Sequence, residues 1–161
     1  MSMKKFVLGT VVLAMVLSAC GGAITEQIIE SQEGVENFDV SENDGTVVLE
    51  LEDEEGDVSA VIGGGDIPAD FPVPVPDGGD VMAVVSSGGD DSVSMTYPSG
   101  DFDSIKAFYE NWATGFGDSL STFSSTDAAS WTVEDGDKAY SVTVANAGAE
   151  VALTILVVTT G

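Results

Sequence analysis

Ser92-Val93-Ser94-Met95-Thr96-Tyr97-Pro98-Ser99-Gly100-Asp101-Phe102-Asp103-Ser104-Ile105-Lys106-Ala107-Phe108-Tyr109-Glu110-Asn111-Trp112 contains a change of period that decides the fold. From Ser92 to Tyr97 polar and apolar residues alternate. Val93, Met95 and Tyr97 fall on one side and Ser92, Ser94 and Thr96 on the other, which predicts a strand with one buried face. After Pro98-Ser99-Gly100, the apolar residues Phe102, Ile105, Phe108, Tyr109 and Trp112 recur at the helical period. Asp101 or Asp103 is placed to accept from the free amides of that helix and to oppose its positive end. Gly115 and Gly117 offer a left-handed stop. Lys106 and Glu110, four apart, form a weak stabilising pair on the outer side. An aromatic stripe of this kind is expected to press on a sheet.

Working outward, Val81–Ser86 reads as a strand joined to Ser92–Tyr97 by Ser87-Gly88-Gly89-Asp90-Asp91. Beyond the helix, strands are expected at Leu120–Ser125, Ser130–Glu134, Lys138–Ala145 and Glu150–Thr159, the last three separated by short turns rich in Asp, Asn and Gly. Short turns join antiparallel neighbours, so the predicted class is α+β: an antiparallel sheet with one helix packed on one face, in the order ββαββββ. In the last strand Val151, Leu153, Ile155 and Val157 alternate with Ala152, Thr154, Leu156 and Val158. Both of its faces are apolar, which places it centrally or under cover on both sides.

Toward the amino terminus, Ile24–Ser31 sets Ile24 and Ile28 four apart, a short amphipathic helix too brief to stand without packing. Val35–Ile62 reads as a β-meander of three strands, with Asn43-Asp44-Gly45 and Glu54-Glu55-Gly56 as turns. Gly63-Gly64-Gly65 then leads into Ile67-Pro68-Ala69-Asp70-Phe71-Pro72-Val73-Pro74-Val75-Pro76-Asp77-Gly78-Gly79. Its prolines favour an extended course along the domain surface. Phe71, Val73 and Val75 share one side of that segment and are expected to face inward. The expected divisions are 1–19 as an export leader, 20–66 as the helix and hairpin region, 67–80 as the Pro-rich connector and 81–161 as the α+β domain.

The leader has the three parts of a secretory signal: Lys4 and Lys5, an apolar run from Phe6 to Leu17, and small residues before a cut. The run is shorter than the roughly 20 residues needed to span a bilayer. It ends in Leu17-Ser18-Ala19-Cys20-Gly21, which resembles the bacterial lipobox. That resemblance implies cleavage before Cys20, the chain's one cysteine, and acylation of its sulfur and of the new amino terminus. Two or more acyl chains anchor a protein stably where one is marginal. The expected partner is therefore the membrane, reached through lipid on Cys20, with the protein on the outer face of the cell membrane, or on the outer membrane where the cell has two.

Without a second cysteine there is no internal disulfide. After Cys20 the chain carries all 28 carboxylates against two lysines, Lys106 and Lys138, a net charge of −26 with no arginine or histidine. That balance argues against nucleic acid as a partner, since phosphate binding draws on Lys and Arg, and against lying flat on anionic lipid. A saline habitat explains such a surface, because salt shortens the Debye length from about 10 Å at 0.1 M to about 3 Å at 1 M. A sharper alternative is an acidic module that gathers divalent cations, with calcium favoured by its preference for carboxylates. Within Asp39–Glu50, Ser41 and Asn43 take third and fifth places of an EF-hand loop. However, Asp44 stands at the sixth place where glycine is wanted, and the flanks read as strands, so a plain hairpin is expected.

Pro68-x-x-Phe71-Pro72-x-x-Val75-Pro76-Asp77-Gly78, two strands, a helix bearing Phe108-Tyr109 and a run of strands resemble a group of small bacterial envelope lipoproteins of unknown function, over about Ile67 to Val158. The chain departs from that group after the helix, where Gly115-Phe116-Gly117 stands in place of a Gly-Trp pair. The resemblance implies the architecture and adds no catalytic residues.

A search for chemistry is negative. With no histidine, a Ser-His-Asp or Cys-His relay and an imidazole zinc site are excluded. A Ser-Lys dyad has only Lys106 or Lys138 to draw on, both expected to face solvent. Gly63-Gly64-Gly65 is followed by Asp66, which repels phosphate. No catalytic, cofactor-binding or metal-ligating residue is assigned. The expected role is non-catalytic, by binding or as a structural component of the envelope, with a carboxylate-dependent hydrolase as the alternative from another class.

Overall fold

Among the described residues, strand-forming segments build one antiparallel sheet of nine strands: β1 (Phe38–Asn43), β2 (Thr46–Leu51), β3 (Val58–Ile62), β4 (Asp80–Ser87), β5 (Asp90–Tyr97), β6 (Leu120–Ser124), β7 (Ala128–Asp135), β8 (Lys138–Asn146) and β9 (Val151–Thr159). The computed structural model describes residues 38–43, 45–51, 57–98 and 100–160, and the expected helix at 24–31 lies outside them, as does Cys20. Strand order is β1-β2-β3-β4-β5-β9-β8-β7-β6. Strands consecutive in sequence account for every neighbour except β5 and β9, which pair from Asp91↔Val157 to Tyr97↔Val151. That one non-local ladder joins two meanders into a single sheet. The sheet also runs unbroken across the compositional division at the Pro-rich segment, because β3 pairs with β4 from Val58↔Ser87 to Ile62↔Ala83.

Alternation decides which side of each strand is buried. On β5, Val93, Met95 and Tyr97 are buried, and on β9 Val151, Leu153, Ile155 and Val157 are, in register with Val142 and Val144 of β8 and with Trp131 and Ala129 of β7. The intervening residues of β9, Ala152 to Val158, are half-buried on the opposite face. β9 has a neighbour on both sides, the central position expected of a strand apolar on both faces. A bulge between Val81 and Ala83 gives β4 one extra residue and leaves Met82 exposed.

The helix, α1 (Phe102–Ala113), packs on this core face over β7 and β8 through Ile105, Tyr109 and Ala113. Asp101 is its N-cap: the carboxylate accepts from the Asp103 amide at 3.1 Å and from Ser104 Oγ at 2.9 Å. Lys106 Nζ and Glu110 Oε1 stand 3.8 Å apart, an exposed pair worth little. The carboxy-terminal end differs from expectation. Gly115 makes no left-handed stop; the chain continues through a 3₁₀ turn, Thr114–Ser119, and only Gly117, at φ +57°, breaks the helical path. The reason is that Trp112 and Phe116, with ring centroids 5.0 Å apart, keep the chain coiled for one more turn against Tyr140.

The Pro-rich segment closes the rest of the core face. Val73 is fully buried in the core, and Ile67, Phe71 and Val75 pack against it half-buried, the inward side read from their spacing. Two tyrosine hydroxyls clasp the segment: Tyr97 Oη donates to the Pro76 carbonyl at 2.9 Å and Tyr109 Oη to the Pro74 carbonyl at 3.0 Å. An extended proline segment has carbonyls with no ladder partner, and phenols reaching across from β5 and α1 satisfy them. Gly79 makes the close approach possible, since a Cβ there would sit 2.6 Å from Tyr97 Cζ.

Candidate functional site

Two depressions flank α1, and each follows from how an end of the helix meets the sheet. At the amino-terminal end, Asp101, Phe102 and Asp103 face the turns Thr126-Asp127 and Gly148-Ala149-Glu150 across a depression of about 390 Å³. Its lining is acidic, with Asp101, Asp103, Asp127 and Glu150 together. One of those carboxylates is already engaged as the helix cap. Asn146 Oδ1 is likewise turned inward to the Gly148 amide at 3.2 Å. Among the described residues no three acidic or sulfur groups come close enough to hold a metal ion together.

At the carboxy-terminal end, a groove of about 200 Å³ lies between α1 and β6, lined by Glu110, Ala113, Thr114, Leu120, Thr122, Phe123, Ser124 and Trp131. Trp131 and Ala113 are buried, so the groove has an apolar floor; Phe123, 59% exposed, pairs with Ser130 and presents its ring on the other face of β6. The floor exists because Tyr109 and Trp131 meet at 5.8 Å between ring centroids, tying helix to sheet. Such a groove suits an apolar side chain or an extended segment.

The titratable groups that depart from their ordinary behaviour belong to the clasp. Burial, with a smaller contribution from the Asp77 carboxylate, pushes the Tyr97 hydroxyl up to about 12. Burial, reinforced by Tyr97, raises Tyr109 further. Both stay protonated as donors, a structural duty.

Residues singled out from the sequence fall as follows. Lys106 is paired with Glu110, and Lys138 opens β8 opposite Asp135 and Thr159. The window Asp39–Glu50 spans the β1–β2 hairpin, with Asp39 and Glu50 directly across from each other in the ladder. The groove beside β6 was missed. Its signal was present as eight uncharged residues, Ser119 to Thr126, in a chain otherwise dense in carboxylates. Among the described residues no helix is long and apolar enough to cross a membrane. Comparison with protein families, curated proteins and solved structures finds no match to this chain.

Proposed function

We propose that this protein is an exported lipoprotein, tethered by lipid on Cys20 to the outer face of the cell membrane or to an outer membrane, with a non-catalytic binding or structural role in the envelope. The observation that carries the reading is Leu17-Ser18-Ala19-Cys20 at the end of a basic-then-apolar leader, with the only cysteine at the position where lipid is added. The architecture accompanying it is a ββαββββ unit over 81–161 preceded by a small helix and meander, the plan of the envelope lipoproteins that the segment Ile67 to Val158 resembles. A groove with an apolar floor beside β6 supports binding as the mode of action. The net charge of −26 beyond Cys20 keeps the domain away from anionic headgroups while the acyl chains hold it at the surface.

Mass spectrometry of the protein purified from its native host tests the tether. The expected product begins at Cys20 and carries the mass of a diacylglyceryl thioether, and Cys20→Ser moves the protein out of the membrane fraction. An unmodified thiol at Cys20 refutes the proposal.

A further inference from the structure

Among the described residues the sheet of nine strands has two edges, β1 and β6. β6, Leu120-Ser121-Thr122-Phe123-Ser124, carries no charge, no proline and no bulge, and Ser121 to Ser124 are all exposed. Charged residues stop at Asp118 and resume at Asp127. An uncharged edge of this kind in so acidic a chain is an unprotected template for strand addition.

We propose that β6 pairs antiparallel with β6 of a second copy of this chain, about a two-fold axis through Thr122. The geometry restricts the register to pairings that set outward-facing residues against one another, and the axis at Thr122 is one of these. The Ser125 amide donates to the Ala128 carbonyl at 2.7 Å, so Ser121, Phe123 and Ser125 turn their backbone groups toward β7. Leu120, Thr122 and Ser124 therefore turn theirs outward. The Leu120 amide is already bonded to the Gly117 carbonyl. Among the described residues the Leu120 carbonyl and the amides and carbonyls of Thr122 and Ser124 are still open.

A two-fold axis through Thr122 matches these groups to one another. Thr122 exchanges reciprocal bonds with Thr122 of the second copy, and each Ser124 amide meets the opposite Leu120 carbonyl. Shifting the register by one residue would set outward groups against inward ones and lose the ladder. The same register puts Ser121 across from the other copy's Phe123 in the closer, non-hydrogen-bonded type of pair. The two Phe123 rings then become diagonal neighbours, within aromatic reach at about 7–8 Å. It also lays each Leu120 opposite Ser124, at the mouth of the groove floored by Trp131. The interface is self-complementary and closes on itself as an isologous dimer. A second copy is favoured over a basic partner because the strip is uncharged: its hydrogen-bonding groups and Phe123 match their own kind, and the surrounding acidity sets a salt dependence.

The test uses the full chain in detergent. Thr122→Cys brings two sulfurs to the axis, where facing Cα atoms stand about 5.5 Å apart, within disulfide reach. Mild oxidation is expected to give a covalent dimer. The wild-type chain, whose one cysteine is Cys20, sets the background, and Thr143→Cys on exposed positions of β8 serves as the control. Adding Phe123→Asp to Thr122→Cys should abolish the product. Sedimentation of the chain without added cysteines should show association rising about tenfold or more from 0.1 to 1 M KCl as repulsion is screened. Thr122→Pro, which deletes only an outward-facing amide, should lower it by at least as much. Both variant positions are exposed, so far-ultraviolet dichroism and tryptophan emission should match wild type. Cross-linking at Thr122→Cys no stronger than at Thr143→Cys in 1 M KCl, or a wild-type dimer that persists in Thr122→Pro, overturns the proposal.

Discussion

Tyr109→Phe removes one oxygen from the centre of the molecule and leaves the buried ring in place. The ring is wholly inaccessible and packs edge-on against Phe108 and Trp112 and tilted against Trp131, contacts that phenylalanine retains. What is lost is the 3.0 Å bond to the Pro74 carbonyl. A hydrogen bond of this type contributes about 1 kcal/mol net, and a carbonyl left without a partner raises the cost of its removal to about 1–3 kcal/mol. For a folded unit of this size a loss of 1 kcal/mol lowers Tm by roughly 3–5 °C, so calorimetry at neutral pH should show a drop of about 3–15 °C. Tyr97→Phe, which frees the Pro76 carbonyl, should behave alike. The double variant should lose more than the sum of the two, because one remaining hydroxyl still holds the segment over Val73 and neither does once both are gone. A Tm within about 1 °C of wild type for Tyr109→Phe would refute the reasoning and show that the Pro-rich segment is held by apolar contact alone.

High pH should act on the same clasp. Tyr97 holds its proton up to about 12 in the folded protein against an ordinary value of 10.0, and Tyr109 holds its proton more firmly still. The unfolded chain therefore gives up these protons first: the stabilisation is complete below pH 10 and erodes as pH rises from 10 toward 12. Melting curves between pH 8 and 12 should show this decline, flattened in the double tyrosine variant. Gly79→Ala sets a methyl 2.6 Å from Tyr97 Cζ and 2.9 Å from Met95 Cε, which should cost about 1–3 kcal/mol by urea denaturation. Gly115→Ala, with open space around the new carbon and no positive φ, should change stability by less than about 0.5 kcal/mol.

Local periods in the sequence determined much of this protein. The two-residue alternation of Ser92–Tyr97 and the helical stripe Phe102–Trp112 are properties of consecutive residues, and α1 and β5 form where they occur. Short turns such as Gly88-Gly89 and Gly136-Asp137 determined the hairpins they close, because short connections leave antiparallel pairing as the only geometry. The two apolar faces of Val151–Val158 determined a central place for β9. The basic-then-apolar run Lys4 to Leu17 and the position of Cys20 after it are likewise matters of sequence alone.

The tertiary structure decided what depends on residues far apart in the chain. No local pattern says that β5 is the strand β9 returns to lie beside; that choice sets Val93 across from Ile155 and Met95 across from Leu153, all four buried. The sheet's passage across the Pro-rich segment, the clasp of Pro74 and Pro76 by two phenols, and the course of the chain past Gly115 rest on the same kind of packing. So does the exposure of β6: its lack of charge was legible in the sequence, but its position at an edge was set by how the other eight strands share the core. Periodicity records which side of a segment avoids water, whereas the identity of its neighbour is settled only when distant surfaces compete to bury the same area.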